Sequence, residues 1–331
     1  YDTRAQRPAV VKRMLPYLRE RSDCVDLFQE EARLGALISH PNICAVYEAG
    51  EVHGDPYIVF EYLEGASGRE IFKYTRTEDR SPELLAELIA QACDGLHAAH
   101  QMCDDDGRPL GLVHRDISPD NLFATTSGAV KILDFGIAKT KEHNDRTKTG
   151  ILRGKPCYMS PEQLEGLRLD GRSDVFSAAA SLWELLAGKR LFLRETDHLT
   201  FKAITSEPAP DIRLHRPDVS ARLAAVLSRA LARERSHRFA TAGEFADALR
   251  SSVHPASPAE IGSWVASSFA PKLRDQQDKI EAWVSEESID SSSGNIFETL
   301  DVEIHAPPSV KLDHLVTNRL TVCLLYTSDA A

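Results

Sequence analysis

The chain of 331 residues carries 39 Lys and Arg against 50 Asp and Glu, a net charge of −11, with 42% hydrophobic and 27% charged residues. That is enough apolar side chain for one large or two modest domains, and the acidic balance argues against a general nucleic-acid binder, whose footprint is basic. No run reaches the roughly 18 apolar residues of a membrane span, and no basic-then-apolar leader opens the chain, which begins at Tyr1.

In chain order, Ala9, Val10 and Val11 form a short β-prone run that ends at Lys12. Residues 26–38 have helical spacing, with Leu27, Phe28, Leu34 and Leu37 on related faces. Residues 45–47 and 57–62 predict strands, separated by the turn-like His53-Gly54-Asp55-Pro56. Ser81-Pro82 predicts a capped helix start, and the pattern runs to about Met102. A strand follows at 129–135, then helices at 174–188 (stopped by Gly188), 220–232 and 241–251. Sheet first and helices later predict a two-lobed α+β body.

The six cysteines, Cys24, Cys44, Cys93, Cys103, Cys157 and Cys323, include no C-x-x-C pair, so they predict reduced thiols in a cytoplasmic protein. Cys93, His97, His100 and Cys103 fall near one helix face and are zinc-binding types. The same stripe continues the apolar series Leu85, Leu88, Ile89, Ala92 and Leu96, so packing is the better reading.

The chemistry is concentrated in His114-Arg115-Asp116-Ile117-Ser118-Pro119-Asp120-Asn121, followed by Asp134-Phe135-Gly136 and Ser160-Pro161-Glu162. Lys12 precedes them, with Glu31 on the next helix and His40-Pro41-Asn42-Ile43 beyond it. On these motifs, in this order, residues 8–252 resemble a bacterial Hanks-type Ser/Thr protein kinase. The resemblance implies a two-lobed fold, a small β-rich lobe and a large helical one, that transfers the γ-phosphoryl group of ATP-Mg²⁺ to protein Ser or Thr hydroxyls.

It also implies roles. Lys12, paired with Glu31, holds the ATP phosphates; Asp116 is the catalytic base; Asn121 and Asp134 ligate Mg²⁺. Phe60 falls at the gatekeeper position, and Glu61 and Leu63 present backbone groups to adenine. Asp174 bonds the catalytic-loop backbone, and Glu162 pairs with Arg238 in a buried contact. Residues 134–162 form an activation segment in which Thr147 and Thr149 are phosphorylation candidates, with Arg115 placed to receive the phosphate.

The sequence departs from the family pattern in two places. The lysine usual two residues after the base is Ser118, while the threonine usual after the glycine preceding Ser-Pro-Glu is Lys155. We expect Lys155 to supply the charge that Ser118 lacks. No G-x-G-x-x-G precedes Lys12, and the first glycine is Gly35, so the first two strands of the small lobe are expected to be missing from an N-terminally truncated domain. Gly35, a small residue inside a helix, is expected to bring that helix close to its neighbour.

The expected division is 1–252 as catalytic domain and 253–331 as an acidic extension. The extension holds 12 acidic and 5 basic side chains, a net of −7, which leaves −4 on the catalytic body. Ser257-Pro258-Ala259-Glu260 predicts a capped helix, with Ile261, Trp264, Val265, Phe269 and Leu273 packing on the body and Trp283 near its end. Residues 285–310 read as flexible. Residues 323–331 resemble translated adapter DNA and are set aside as artefactual. Expected partners are protein substrates, with self-phosphorylation or dimerisation, and neither nucleic acid nor a membrane segment in this stretch, although a longer protein could be anchored. Two rival readings are a catalytically impaired, kinase-like binding scaffold and a small-molecule kinase of related fold. The long activation segment disfavours the small-molecule kinase.

Overall fold

A computed structural model of the chain describes residues 7–14, 18, 19, 21–52, 54–75, 81–134 and 156–289. Its first layer is an antiparallel sheet of β1 (Ala9–Arg13), β2 (Val46–Val52) and β3 (Asp55–Glu61), ordered β1-β3-β2. β-Branched Val10, Val11, Ile58 and Val59 favour extended backbone, and the register sets Val11 opposite Val59 and Lys12 opposite Ile58. Helix α1 (Ser22–Leu37) packs on this sheet and buries Leu27, Phe28, Ala32 and Leu34. A Cβ on Gly35 would stand 2.7 Å from Val46 Cγ2, so glycine lets α1 approach β2 closely.

β2 extends beyond the expected 45–47 because it is an outer strand, exposed over nearly all its length. Such a strand shows no apolar alternation for periodicity to detect. A second sheet, β4 (Gly65–Ser67), β5 (Leu122–Thr125) and β6 (Val130–Ile132), is also antiparallel and ordered β4-β5-β6. Neither β4 nor β5 was foreseen. Both are very short, and β5 is buried on both faces, so it too lacks a period of two.

The large lobe is built on α3 (Pro82–His100) and α5 (Gly171–Ala187). Ser81 caps α3, its Oγ accepting from Leu84 N at 3.0 Å, and Pro82 occupies the first helical position. Leu85, Ile89 and Leu96 of α3 meet Val175, Leu182 and Trp183 of α5 in one core. α5 is buried almost all round, and its Ser177 and Ser181 hydroxyls are satisfied by backbone oxygens of Tyr158 and Ser177. Shorter α2 (Gly68–Thr75), α4 (Pro161–Leu164), α6 (Asp197–Ser206), α7 (Ala221–Ala230) and α8 (Ala242–Ser252) surround the pair.

The chain then continues into α9 (Pro258–Ser268) and α10 (Ala270–Ile289). Ser257 and Glu260 form a reciprocal capping box, and Ile261 and Val265 are fully buried in the main core. Gly128 (φ 84°) and Gly262 permit the docking: a Cβ on Gly128 would lie 1.9 Å from Pro258 O, and one on Gly262 would lie 2.4 Å from Thr126 O. Trp264 and Phe269 form a ring cluster with Tyr74 of α2. The apolar series through Leu273 predicts one helix, but there are two. Pro271, one residue into α10, suits a helix start and not an interior. Helix α10 also runs to Ile289, beyond Trp283, so the first residues of the expected flexible stretch are helical.

Candidate active site

β1 ends by delivering Lys12 beneath α1. Lys12 Nζ lies 2.6 Å from Glu31 Oε1 and 3.1 Å from Asp134 Oδ1, just past β6. One ammonium thus bonds carboxylates 19 and 122 positions away in sequence. Burial opposes charge on Lys12, but the Asp134 and Glu31 carboxylates overcome it and raise the ammonium pKa above its ordinary value. Burial pushes the Glu31 carboxyl up, to about 7; Lys12 pulls it back and Asp134 adds to the rise. With both carboxyls ionised, the cluster carries one negative charge in excess, which a further cation would balance.

The loop 114–121 is fixed from three sides. Asp174, fully buried at the start of α5, accepts from the backbone N–H groups of His114 and Arg115, both at 2.8 Å. Burial alone would raise the Asp174 pKa, but hydrogen bonds from His100 and the His114 amide hold it below the ordinary aspartate range. His114 is itself fully buried, its Nε2 3.2 Å from Leu133 O. Gln163 Nε2 donates to Arg115 O at 2.8 Å. These ties hold Arg115 at a φ of 68°, a left-handed conformation that costs a side-chain-bearing residue about 1–3 kcal/mol. Asp134 is also left-handed, at 42°.

Asp116 is held by its neighbour five residues on: Asn121 Nδ2 donates to Asp116 O at 2.7 Å and to Asp116 Oδ2 at 3.0 Å. Asn121 therefore spends its N–H donors on the loop, and its amide oxygen is the atom left for a cation. That oxygen and the Asp134 carboxylate make a hard donor pair, which suits Mg²⁺ held by one or two protein ligands together with phosphate oxygens.

Behind the loop, Arg238 Nη1 and Nη2 reach the two Glu162 oxygens at 2.7 and 2.9 Å, and Ser173 Oγ reaches Oε1 at 2.6 Å. The pair is almost wholly buried, and burial, which would raise the Glu162 pKa, is outweighed by Arg238. Breaking such a pair from one side costs about 3–5 kcal/mol.

Glu61 ends β3, and Leu63 lies on the segment joining the two sheets. Glu61 N donates to Ala45 O at 2.9 Å, and its carboxylate accepts from Ala45 N and from Lys131 Nζ, both at 2.7 Å. The Leu63 side chain packs with Cys44, Phe123 and Leu133, while no described residue hydrogen-bonds its backbone. Arg115 is half-buried, which lowers its pKa, and its Nε meets no acceptor among the described residues. Lys155, Thr147 and Thr149 lie outside the described residues.

Two functional side chains escaped the sequence reading. His100, placed there in a cysteine–histidine stripe, has Nε2 2.7 Å from Asp174 Oδ2 and so steadies the loop anchor. Among the described residues, no group of three or more His, Cys, Asp or Glu side chains converges as a metal site. Gln163 was the more legible: Ser160-x-x-Gln163 is a capping-box signature, and the box is formed.

The protein kinase domain family matches residues 1–250. Tyrosine-protein kinase MasK of Myxococcus xanthus is 41% identical over 246 residues, covering 74% of this chain and 38% of that protein. Serine/threonine-protein kinase PknB of Mycobacterium leprae is 35% identical over 267 residues, covering 78% of this chain and 41% of that protein. Among solved structures, the PknI kinase domain of Mycobacterium tuberculosis is 26% identical, with a TM-score of 0.57, over 74% of this chain and 86% of that one. The chain spans about two fifths of the length of the curated relatives it matches.

Proposed function

The chain belongs to the protein kinase family, with a two-lobed kinase fold, and on that premise we propose that it transfers the γ-phosphoryl group of ATP to Ser or Thr hydroxyls of protein substrates in signalling. The supporting observation is the convergence of Lys12, Glu31 and Asp134 from three separate elements. In this reading Lys12, held by Glu31, binds the ATP phosphates, and Leu63 and Glu61 meet adenine through the backbone. Asp134 and Asn121 hold Mg²⁺, which when bound neutralises charge on the phosphoryl oxygens. Asp116 orients the acceptor hydroxyl and takes its proton as the new P–O bond forms and the bond to the ADP oxygen breaks.

We assign Arg115 as the receiver for a phosphate on Thr147 or Thr149, since a half-buried guanidinium whose Nε has no acceptor among the described residues gains an anionic partner there. Lys155 supplies the positive charge that Ser118 does not. Residues 1–252 are the catalytic domain in this reading and 253–331 its extension.

The similarity to MasK, named a tyrosine-protein kinase, favours tyrosine as the second acceptor. Phosphoamino-acid analysis of substrates labelled by the full-length protein decides: phosphoserine and phosphothreonine support the proposal, and phosphotyrosine alone overturns it. Binding of ATP-Mg²⁺, seen as a thermal shift, with no transfer to any protein would make it a kinase-like scaffold.

A further inference from the structure

Between α2 and the end of α5 lies a cavity of about 310 Å³ lined by Arg69, Phe72, Lys73, Gly188, Lys189 and Arg190. Four of its six lining residues are cations. Asp120 Oδ1 faces Arg69 Nη1 at 3.4 Å, and the fully buried Glu184 faces Arg190 Nη1 at 2.9 Å. Arg190 also lies over the Phe72 ring, 4.7 Å from its centroid. Among the described residues no carboxylate pairs with Lys73 or Lys189; Lys189 Nζ lies 6.0 Å from the Trp183 ring centroid and close enough to His215 to disfavour its charged form. The six lining residues themselves carry four cationic side chains and no carboxylate, in a chain whose total is −11.

Its position ties it to the catalytic loop. α2 begins so close to that loop that a Cβ on Gly68 would stand 2.3 Å from Pro119 O. Arg69 reaches Asp120, four residues beyond Asp116. An extended peptide advances about 3.3 Å per residue, so a substrate with its hydroxyl at Asp116 passes this wall within a few residues. The long-range field of an acidic chain does not attract acidic partners, so recognition of one has to be local.

We propose that this basic cavity selects the substrate, taking a carboxylate side chain near the acceptor hydroxyl, so that the chain phosphorylates sites flanked by acidic residues. Lys73, Lys189 and Arg69 meet the carboxylate, with Phe72 beneath Arg190 forming the floor. The inference rests on the kinase reading above.

The test uses the full-length protein and peptides with one acceptor Ser, in which Glu, Gln or Lys is placed at each flanking position in turn. At one or more positions Glu should raise kcat/KM about tenfold over Gln. The double variant Lys73→Glu/Lys189→Glu should erase that preference and favour Lys instead, while Lys73→Ala/Lys189→Ala should erase it without inversion. Melting temperatures verify that both variants fold. Phosphorylation with no positional preference for Glu, or a preference that survives charge reversal, overturns the proposal. So does a charge-reversal effect confined to self-phosphorylation, which would make the chain's own phosphorylated segment the occupant. Failure to label any peptide or protein overturns the kinase reading instead.

Discussion

Lys12 and Glu31, nineteen residues apart, meet at 2.6 Å across the interface between β1 and α1. The contact makes the position of α1 a determinant of where the Lys12 ammonium points. Glu31→Gln keeps the shape and removes the charge, so Lys12 should turn further toward Asp134. We expect kcat to fall by at least about tenfold in steady-state assays, with melting temperature little changed. Unchanged kcat would show that the pair is structural only.

Asp174 offers a pH test. Its folded pKa is depressed, so it contributes stability that is present above the ordinary aspartate value of about 3.9 and is lost as pH falls through the folded value. Asp174→Asn should therefore lower the melting temperature at neutral pH, and the gap from the parent should close progressively below about pH 4. Thermal unfolding across that range measures it; a constant gap would mean that the carboxylate's charge contributes nothing.

The exchange at Ser118 and Lys155 predicts a reciprocal swap. Lys155→Thr should lose most kcat, and Ser118→Lys added to it should restore much of it. A harmless Lys155→Thr would assign that lysine to solvent.

The docking of α9 predicts that Gly128→Val destabilises the fold. Its φ of 84° disfavours any side chain, and the added Cβ meets Pro258 O. Lys272, which bridges Gly65 O at 3.2 Å and Glu70 Oε2 at 2.7 Å, ties α10 to the same region. Chemical denaturation should show Gly128→Val less stable by about 1–3 kcal/mol or more. Parent-like stability would mean that α9 detaches readily in solution.

The long helices and the site-bearing motifs were legible in the sequence because each carries a local signal. Ser81-Pro82 starts α3, Gly188 in a left-handed cap ends α5, and Ser257 with Glu260 starts α9. The ion pair of Lys12 and Glu31 followed from family resemblance and not from periodicity. What was missed depends on long-range packing. β4 is a strand only because it pairs with β5, and β5 only because it pairs with β4 and β6. His100 is an anchor only because α5 brings Asp174 to it. The basic cavity joins α2 to the end of α5, residues more than a hundred positions apart, and a scan for charge runs does not find it.

The most direct test of the central claim is transfer of label from γ-labelled ATP with Mg²⁺ to protein Ser and Thr, comparing the full-length protein with Asp116→Asn. We expect the parent to label substrate, and Thr147 or Thr149 of itself, with Asp116→Asn slower by about 10²–10⁴-fold. Transfer at the parent rate by Asp116→Asn would contradict the assignment of the base, and ATP binding without transfer by the parent would contradict the activity.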